Sequence, residues 1–206
     1  MEDIMTNKII LSAKGQIKKQ VEAWNSFSRF PLKGELWEER LSLGLADAGH
    51  PTDWEPDGNH KPGVDLTIVG QEISFSCKSG KLMNGVLSIS SYRTTKQKTL
   101  QEKLDYHESK EAKPFSHYAV LVRTADDKKQ ICLIIEKDYI NAKNLSWEMK
   151  LSTRIKNKGT PTGWKGSSKS IDMKIQKSMS DQFWYYLDWE SLVTSDKATI
   201  LFTIEK

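Results

Sequence analysis

At 206 residues the chain is long enough to bury one substantial core, although its 37% hydrophobic content is lean for a globular protein. The net charge of +4 excludes a chain that is basic throughout, so a nucleic-acid signal must come from local clusters. Two cysteines exclude a disulfide framework, and no apolar run approaches the roughly 18 residues of a membrane span. We therefore expect a soluble, cytoplasmic domain without a membrane partner.

The first third of the chain predicts two helices. Ser12 can cap a helix that continues to about residue 29, with apolar residues at three- and four-residue steps at Ile17, Val21, Trp24 and Phe27. The segment "KGELWEERLSLGLADAGH", residues 33–50, predicts a second helix with an apolar stripe at Trp37, Leu41, Leu45 and Ala48. Gly49 lies where a C-terminal cap belongs, and Pro51 stops the helix.

Strand patterns follow a turn-rich segment, residues 50–63. "GVDLTIV" and "EISFSCK" are joined at Gly70-Gln71 as a short hairpin, and the second strand alternates apolar and polar residues. Further strands are predicted at "GVLSIS", "SHYAVLVR", "QICLIIE" and "ATILFTIE", with helices at "SYRTTKQKTLQEKLDYHESK" and "SDQFWYYLDWESLV". The pattern is typical of the α/β (α+β) class.

Three polar residues interrupt the two strands of the predicted hairpin. Asp65 lies near the start of the first strand, and Ser76 and Lys78 lie near the end of the second, so all three can meet at one end of the hairpin. A carboxylate with nearby carbonyl oxygens suits Mg²⁺, and a lysine can orient an attacking water. The sequence therefore predicts magnesium-assisted attack on a phosphate.

Asp65 followed by Ser76-Cys77-Lys78 resembles the PD-(D/E)XK nuclease superfamily, whose members include many type II restriction endonucleases. The resemblance covers residues 33–81 best. "KGELWEERLSLGLADAGH" is similar to the first helix of the archaeal Holliday-junction resolvases of that superfamily, in which a lysine-glycine pair precedes a metal-site glutamate. The resemblance implies a restriction-endonuclease-like core with a central mixed β-sheet flanked by helices, and it places that glutamate at Glu38.

The chain departs from the family at its second acidic position, where Ser76 stands. Some restriction enzymes of the superfamily also carry serine there and recruit a glutamate from elsewhere. Glu38 is the first choice of replacement, Glu72 the second and Glu39 the third. The resemblance then implies that Asp65 and Glu38 bind Mg²⁺, or Mn²⁺ in its place, that the carbonyl of Cys77 is a further ligand, and that Lys78 positions the water.

A literal proline-aspartate pair also occurs at Pro56-Asp57. Gly58-Asn59 follow it directly and favour a turn over the strand that the motif requires. We therefore interpret this pair as a coincidence.

Two basic segments are candidates for DNA binding. Residues 154–177 carry a single acid, Asp172, against seven basic residues: Arg154, Lys156, Lys158, Lys165, Lys169, Lys174 and Lys177. Their glycine, serine and proline content favours a mobile arm, and Trp164 at its centre either stacks on DNA or anchors the arm. Arg93 and Lys96, at a predicted helix start, are candidate base readers.

These observations favour one nuclease domain over residues 1–206, with an N-terminal helical segment (1–32), a catalytic core (33–137) and a basic DNA-contacting segment with a closing helix and strand (138–206). The expected activity is that of a Mg²⁺-dependent type II restriction endonuclease that cuts double-stranded DNA as a homodimer. The alternatives are a structure-selective nuclease similar to a junction resolvase and an inactive DNA-binding protein of nuclease fold.

Overall fold

The computed structural model describes residues 2–55 and 63–205, and it describes side chains from residue 8 onward. The Pro56-Asp57 pair therefore lies outside the described residues. The helices and strands are, in chain order, α1 (Glu2–Phe27), α2 (Glu35–Asp47), β1 (Leu66–Thr67), β2 (Ser74–Met83), β3 (Val86–Arg93), α3 (Leu100–His107), β4 (His117–Thr124), β5 (Lys129–Glu136), β6 (Ser146–Leu151), β7 (Pro161–Ser167), β8 (Ile171–Gln176), β9 (Gln182–Asp188), α4 (Trp189–Val193) and β10 (Ala198–Glu205). Single turns of 3₁₀ helix lie at Lys137–Tyr139, Ile155–Asn157 and Lys177–Met179.

The described strands form one mixed sheet. Its order is β10-β5-β4-β2-β3-β9-β8-β7-β6, and β1 pairs with β2 outside this path. The pairing of β2 with β4 is parallel and every other ladder is antiparallel. A parallel pair needs a crossover, and the chain supplies it through β3 and α3. The predicted mixed α/β sheet with flanking helices is confirmed, and no helix in the described ranges is long and apolar enough to cross a membrane.

Each face of the sheet has its own buried core because side chains alternate between the faces along a strand. On one face, α1 and α2 cover β2, β4 and β5, with Trp37 and Phe75 buried at their contact. On the other face, α3 and the segment after β5 cover Tyr118 and Tyr185. α1 and α2 approach closely at Gly44, where an added Cβ would lie 2.6 Å from the Cα of Ile17.

The two N-terminal helices confirm most of their predicted features. In α2, Trp37, Leu41 and Leu45 are buried, and the amide of Gly49, at φ 87°, donates to the carbonyl of Ala46. The predicted cap at Ser12 is wrong. α1 already begins at Glu2, and the hydroxyl of Ser12 donates to the Ile9 carbonyl within the helix.

Two predicted helices are wrong over part of their length. The chain stays in β3 to Arg93, and α3 begins only at Leu100, where Thr99 and Glu102 form a reciprocal capping box. The segment predicted as the helix "SDQFWYYLDWESLV" is strand β9 followed by the single-turn helix α4. Phe183, Tyr185 and Leu187 are buried in β9, and alternate burial of this kind is the period of a strand.

The predicted mobile arm is also wrong. Residues 146–176 form three antiparallel strands, β6, β7 and β8, that extend the sheet beyond β9. Met173 and Ile175 of β8 are buried, and the neighbouring Asp172 and Lys174 are partly exposed. One buried face therefore holds β8 on the sheet, and strand pairing attaches β7 and the exposed β6 to it.

Candidate active site and nucleic-acid interface

Asp65 lies at the open end of the hairpin formed by β1 and β2. Leu66 pairs with Phe75 in the antiparallel register, so Asp65 lies opposite Ser76, and its amide donates to the Phe75 carbonyl at 2.9 Å. Its Oδ2 atom accepts the Cys77 amide at 2.5 Å and lies 3.4 Å from the Ser76 hydroxyl. Strand β2 therefore fixes both the backbone and the carboxylate of Asp65.

Lys78 meets the same carboxylate from β2. Its Nζ atom lies 3.5 Å from Oδ2 of Asp65 and donates to the carbonyl of Cys77 at 3.0 Å. The two side chains keep 23% and 21% of their surface exposed, so the pair is open to a ligand. The structure thus brings Asp65, Ser76 and Lys78 together, as the strand pattern predicts, although Ser76 itself is buried.

Glu38 lies in the first turn of α2 and is 9% exposed. The indole of the preceding Trp37 donates to the Ala119 carbonyl of β4 at 3.1 Å, which fixes the start of the helix on the sheet. Burial raises the pKa of the Cys77 thiol above its ordinary value, and the negative charges of Asp65 and Glu38 raise it further. Both carboxylates therefore lie within electrostatic range of the same residue of β2.

The other two candidate glutamates have different surroundings. Glu72 is exposed in the turn that precedes β2. Glu39 pairs with the guanidinium of Arg40 at 3.0 Å. Burial and electrostatic range thus distinguish Glu38 from both alternatives.

The predicted ligands have the chemistry that Mg²⁺ or Mn²⁺ requires. Among the described residues, no group of three or more His, Cys, Asp and Glu side chains has an arrangement that could hold a metal ion. The predicted set instead combines two carboxylates with a backbone carbonyl, and hard divalent cations prefer such oxygen ligands. The ammonium of Lys78 already lies between the Asp65 carboxylate and the Cys77 carbonyl, so these oxygens attract a cation in this structure.

The candidate base readers lie where the strands end beside Asp65, and we call this row of strand ends the edge of the sheet that carries Asp65. Arg93 is the exposed last residue of β3, and Lys96 is exposed in the loop between β3 and α3, so neither stands on the predicted helix start. The end of β3 and the start of β2 lie at the same edge because the two strands are antiparallel. Arg93 is therefore one strand away from the hairpin of Asp65.

Sequence reasoning missed Lys103, the residue that fixes this loop. Its side chain is 1% exposed, and its Nζ atom donates to the carbonyls of Thr94, at 2.7 Å, and Gln97. The same ammonium pairs with Oδ2 of Asp181 at 3.0 Å, and the Asp181 carbonyl accepts both the amide and the hydroxyl of Thr94. We call Lys103 and Asp181 the loop clamp.

Six of the seven basic residues of the segment 154–177 lie in three different places, and Lys177 follows β8. Arg154, Lys156 and Lys158 are exposed in the connection between β6 and β7. Lys165 and Lys174 are neighbours within β7 and β8; the first pairs with Asp172 at 3.1 Å, and the second lies 4.3 Å from the ring centroid of Tyr186. Lys169 lies in the turn between β7 and β8, at the opposite edge of the sheet.

Trp164 packs against the core on the face of α3. The ammonium groups of Lys103 and Lys177 lie 5.8 and 5.4 Å from its ring centroid. These contacts favour the interpretation of Trp164 as an anchor of β7.

No protein-family model matches this chain, and no curated protein matches it.

Proposed function

We propose that the protein is a metal-dependent endonuclease of the type II restriction class that hydrolyses phosphodiester bonds in double-stranded DNA. The observation that carries this proposal is the meeting of the Asp65 carboxylate, the Cys77 backbone and the Lys78 ammonium at the end of the β1–β2 hairpin. Asp65 keeps 21% of its side chain exposed although the neighbouring Leu66 is buried, so the strand presents an acid that a ligand can reach.

Each residue of the site has a role that its contacts support. Asp65, Glu38 and the Cys77 carbonyl would hold Mg²⁺, which supplies Lewis-acid stabilisation of the charge that develops on the phosphate. The Cys77 amide orients the Asp65 carboxylate through its 2.5 Å hydrogen bond. Lys78 donates a hydrogen bond to the attacking water and keeps it beside the phosphate.

DNA recognition would extend from this site along the sheet. Arg93 can donate two hydrogen bonds to one guanine, and Lys96 can reach a base or a phosphate from the same loop. Exposed Arg154, Lys156 and Lys158 can contact phosphates whatever the sequence. A homodimer, which would cut both strands, belongs to the same proposal.

The test compares cleavage with binding. Purified protein is incubated with unmethylated phage DNA and Mg²⁺, and we expect discrete bands. Asp65→Ala and Lys78→Ala should each abolish these bands and still bind duplex DNA, because the two side chains serve the metal and the water. Lys128→Ala is the matched control, since it removes an exposed lysine from the turn between β4 and β5, at the opposite edge of the sheet. Equal loss of binding and cleavage in both site variants would contradict the assignment.

A second candidate function, a DNA-binding protein without nuclease activity, is favoured by Ser76. This residue is 3% exposed and offers Asp65 a hydroxyl where the family has an acid. Intact phage DNA, together with tight duplex binding, would support it. Preferential cutting of four-way junctions over linear duplexes would instead support a structure-selective nuclease.

A further inference from the structure

The connection between β6 and β7 presents an apolar side chain at an otherwise polar apex. Ile155 is 96% exposed, the highest exposure among the exposed large hydrophobic residues of the described chain. Leaving an isoleucine in water has a free-energy cost of roughly 1.5–3 kcal/mol relative to its burial. A lone exposed isoleucine is common on protein surfaces, so its surroundings decide whether it meets a partner.

The backbone of this connection is held in one conformation. The amide of Ser152 donates to the Thr160 carbonyl at 2.8 Å, and the amide of Gly159 donates back to the Ser152 carbonyl at 3.0 Å. Inside this closure, Asn157 donates to the Arg154 carbonyl at 3.0 Å. The hairpin thus presents Ile155 from a closed, hydrogen-bonded turn.

The surroundings of Ile155 are positively charged and rich in hydrogen-bonding groups. Residues 152–160 contain three basic residues and no acidic residue. An open cleft of about 500 Å³ lies beside the apex. Its polar lining includes Ser152, Arg154, Thr160, Thr162, Lys177 and Ser178. Cations and hydroxyl groups are the side chains that contact the phosphates of a nucleic acid.

The strand register connects this apex to the candidate active site. One row of paired residues crosses the sheet edge from β3 to β6, and its members are Arg93, Gln182, Gln176, Gly163 and Lys150. The start of β2 lies at the same edge, beside the end of β3. The hairpin apex and Asp65 therefore lie on one side of the molecule.

The distance between them follows from the strand spacing. From β2 to β6 there are five strand spacings in the order β2-β3-β9-β8-β7-β6. At about 4.8 Å each, they span at most about 24 Å, because the twist of the sheet curves the row. B-form DNA rises about 3.4 Å per base pair, so the apex reaches the duplex within about seven base pairs of the hairpin of Asp65.

We propose that the β6–β7 apex enters the minor groove of duplex DNA, with Ile155 as an apolar wedge between base pairs and Arg154 and Lys156 on the flanking phosphates. This inference rests on the proposed function, because it assumes that the duplex follows the edge that carries Asp65. Isoleucine is one of the residues that proteins insert between base steps from the minor groove. A membrane surface is disfavoured because binding to it scales with buried apolar area, and Ile155 is the single large apolar side chain of residues 152–160.

The experiment measures binding to a mixed-sequence duplex that carries 2-aminopurine in place of adenine, in metal-free buffer at several salt concentrations. Ile155→Ser should weaken binding by about tenfold, reduce the fluorescence increase that reports unstacking, and leave the salt dependence unchanged. Ile155→Leu should retain wild-type behaviour. The matched control is Ile200→Ser, which removes a 42%-exposed isoleucine from β10. In the order of the sheet, β10 is the strand farthest from β6.

Charge variants separate the wedge from the phosphate contacts. Arg154→Ala should flatten the slope of log K against log salt by about 0.9, and Lys128→Ala, in the turn between β4 and β5, should not. Wild-type affinity and fluorescence in Ile155→Ser would overturn the wedge. Loss of sedimentation with anionic phosphatidylserine vesicles in Ile155→Ser, with unchanged DNA binding, would overturn it in favour of a membrane surface.

The result of this binding experiment does not depend on whether the protein cleaves DNA. Ile155-dependent duplex binding by a protein that leaves phage DNA intact with Mg²⁺ would refute the endonuclease and retain the wedge. Discrete cleavage with wild-type duplex binding in Ile155→Ser would retain the endonuclease and refute the wedge.

Discussion

Replacement of Lys103 by methionine tests the loop clamp. Methionine keeps the length of the side chain and removes the ammonium, which has three acceptors: the carbonyls of Thr94 and Gln97 and the carboxylate of Asp181. These acceptors lose a charged donor that is 1% exposed. We expect a loss of stability and a looser loop between β3 and α3.

The size of the effect follows from burial. Removing one partner of a buried ion pair has a free-energy cost of about 3–5 kcal/mol, because the other partner stays without its counter-charge. The side chain of Asp181 is still 23% exposed, so water can reach it, and the cost should lie near the lower value. For a chain of this size, about 3 kcal/mol lowers Tm by about 6–12 °C.

Thermal unfolding followed by circular dichroism measures this change. Asp181→Asn is the companion variant, and the double variant should be less destabilised than the sum of the two, since each alone leaves the same partner unpaired. A decrease in Tm below about 2 °C for Lys103→Met would refute the reasoning, because it would mean that the ammonium is solvated in the folded protein. Strict additivity of the two variants would contradict the pairing with Asp181.

The remaining predictions concern the acidic set and pH. Glu38→Gln should lower cleavage of phage DNA with Mg²⁺ by orders of magnitude and Glu72→Gln should not; the opposite result would assign the second carboxylate to Glu72. Burial lowers the pKa of His107 to about 4, from about 6.5 in the unfolded chain, so the fold favours the neutral ring. This contribution is complete above pH about 6.5 and is lost as the pH falls towards 4, by about 3 kcal/mol, and urea unfolding of His107→Gln should show a flatter pH dependence over this range. An identical pH dependence in wild type and variant would refute this prediction.

The sequence was sufficient for features that depend on near neighbours. The apolar stripe of α2 and the turn at Gly49 are local features. The hairpin turn at Gly70-Gln71, between β1 and β2, is local too. The meeting of Asp65 with Lys78 follows from that single hairpin, since register within a short hairpin is fixed by its turn. Predictions of this kind need no knowledge of the rest of the sheet.

Features that depend on distant pairing could not be predicted in the same way. β3 pairs with β9, nearly a hundred residues later, and only this pairing makes Phe183 and Tyr185 face the core as alternate residues of a strand. The same aromatic run satisfies a helical spacing when it is considered alone. β8 buries alternate residues, whereas β6 is exposed along most of its length, so the polar residues of this region hid the strand pattern.

The loop that Lys103 fixes carries one sequence signal that could have been found. Its acceptors are loop carbonyls and one distant carboxylate, which no local pattern identifies. Thr99 and Glu102 nevertheless match the spacing of a capping box and place the start of α3 after Lys96. Applied to the sequence, this rule would have moved Arg93 and Lys96 off the helix and into the strand and loop where they lie.

The ordered hairpin found in place of a mobile arm changes what the proposed DNA interface can do. A mobile arm would contact phosphates over a range of distances from the cut. The β6–β7 hairpin is closed by the hydrogen bonds of Ser152 and anchored by Trp164. It therefore lies at one distance from Asp65, which is set by the width of the sheet between β2 and β6. Contacts on the duplex should therefore end abruptly within about seven base pairs of the scissile phosphate rather than fade gradually. Because Lys169 lies at the opposite edge, the abrupt limit should depend on Arg154 and Lys156 and not on the total charge of the segment.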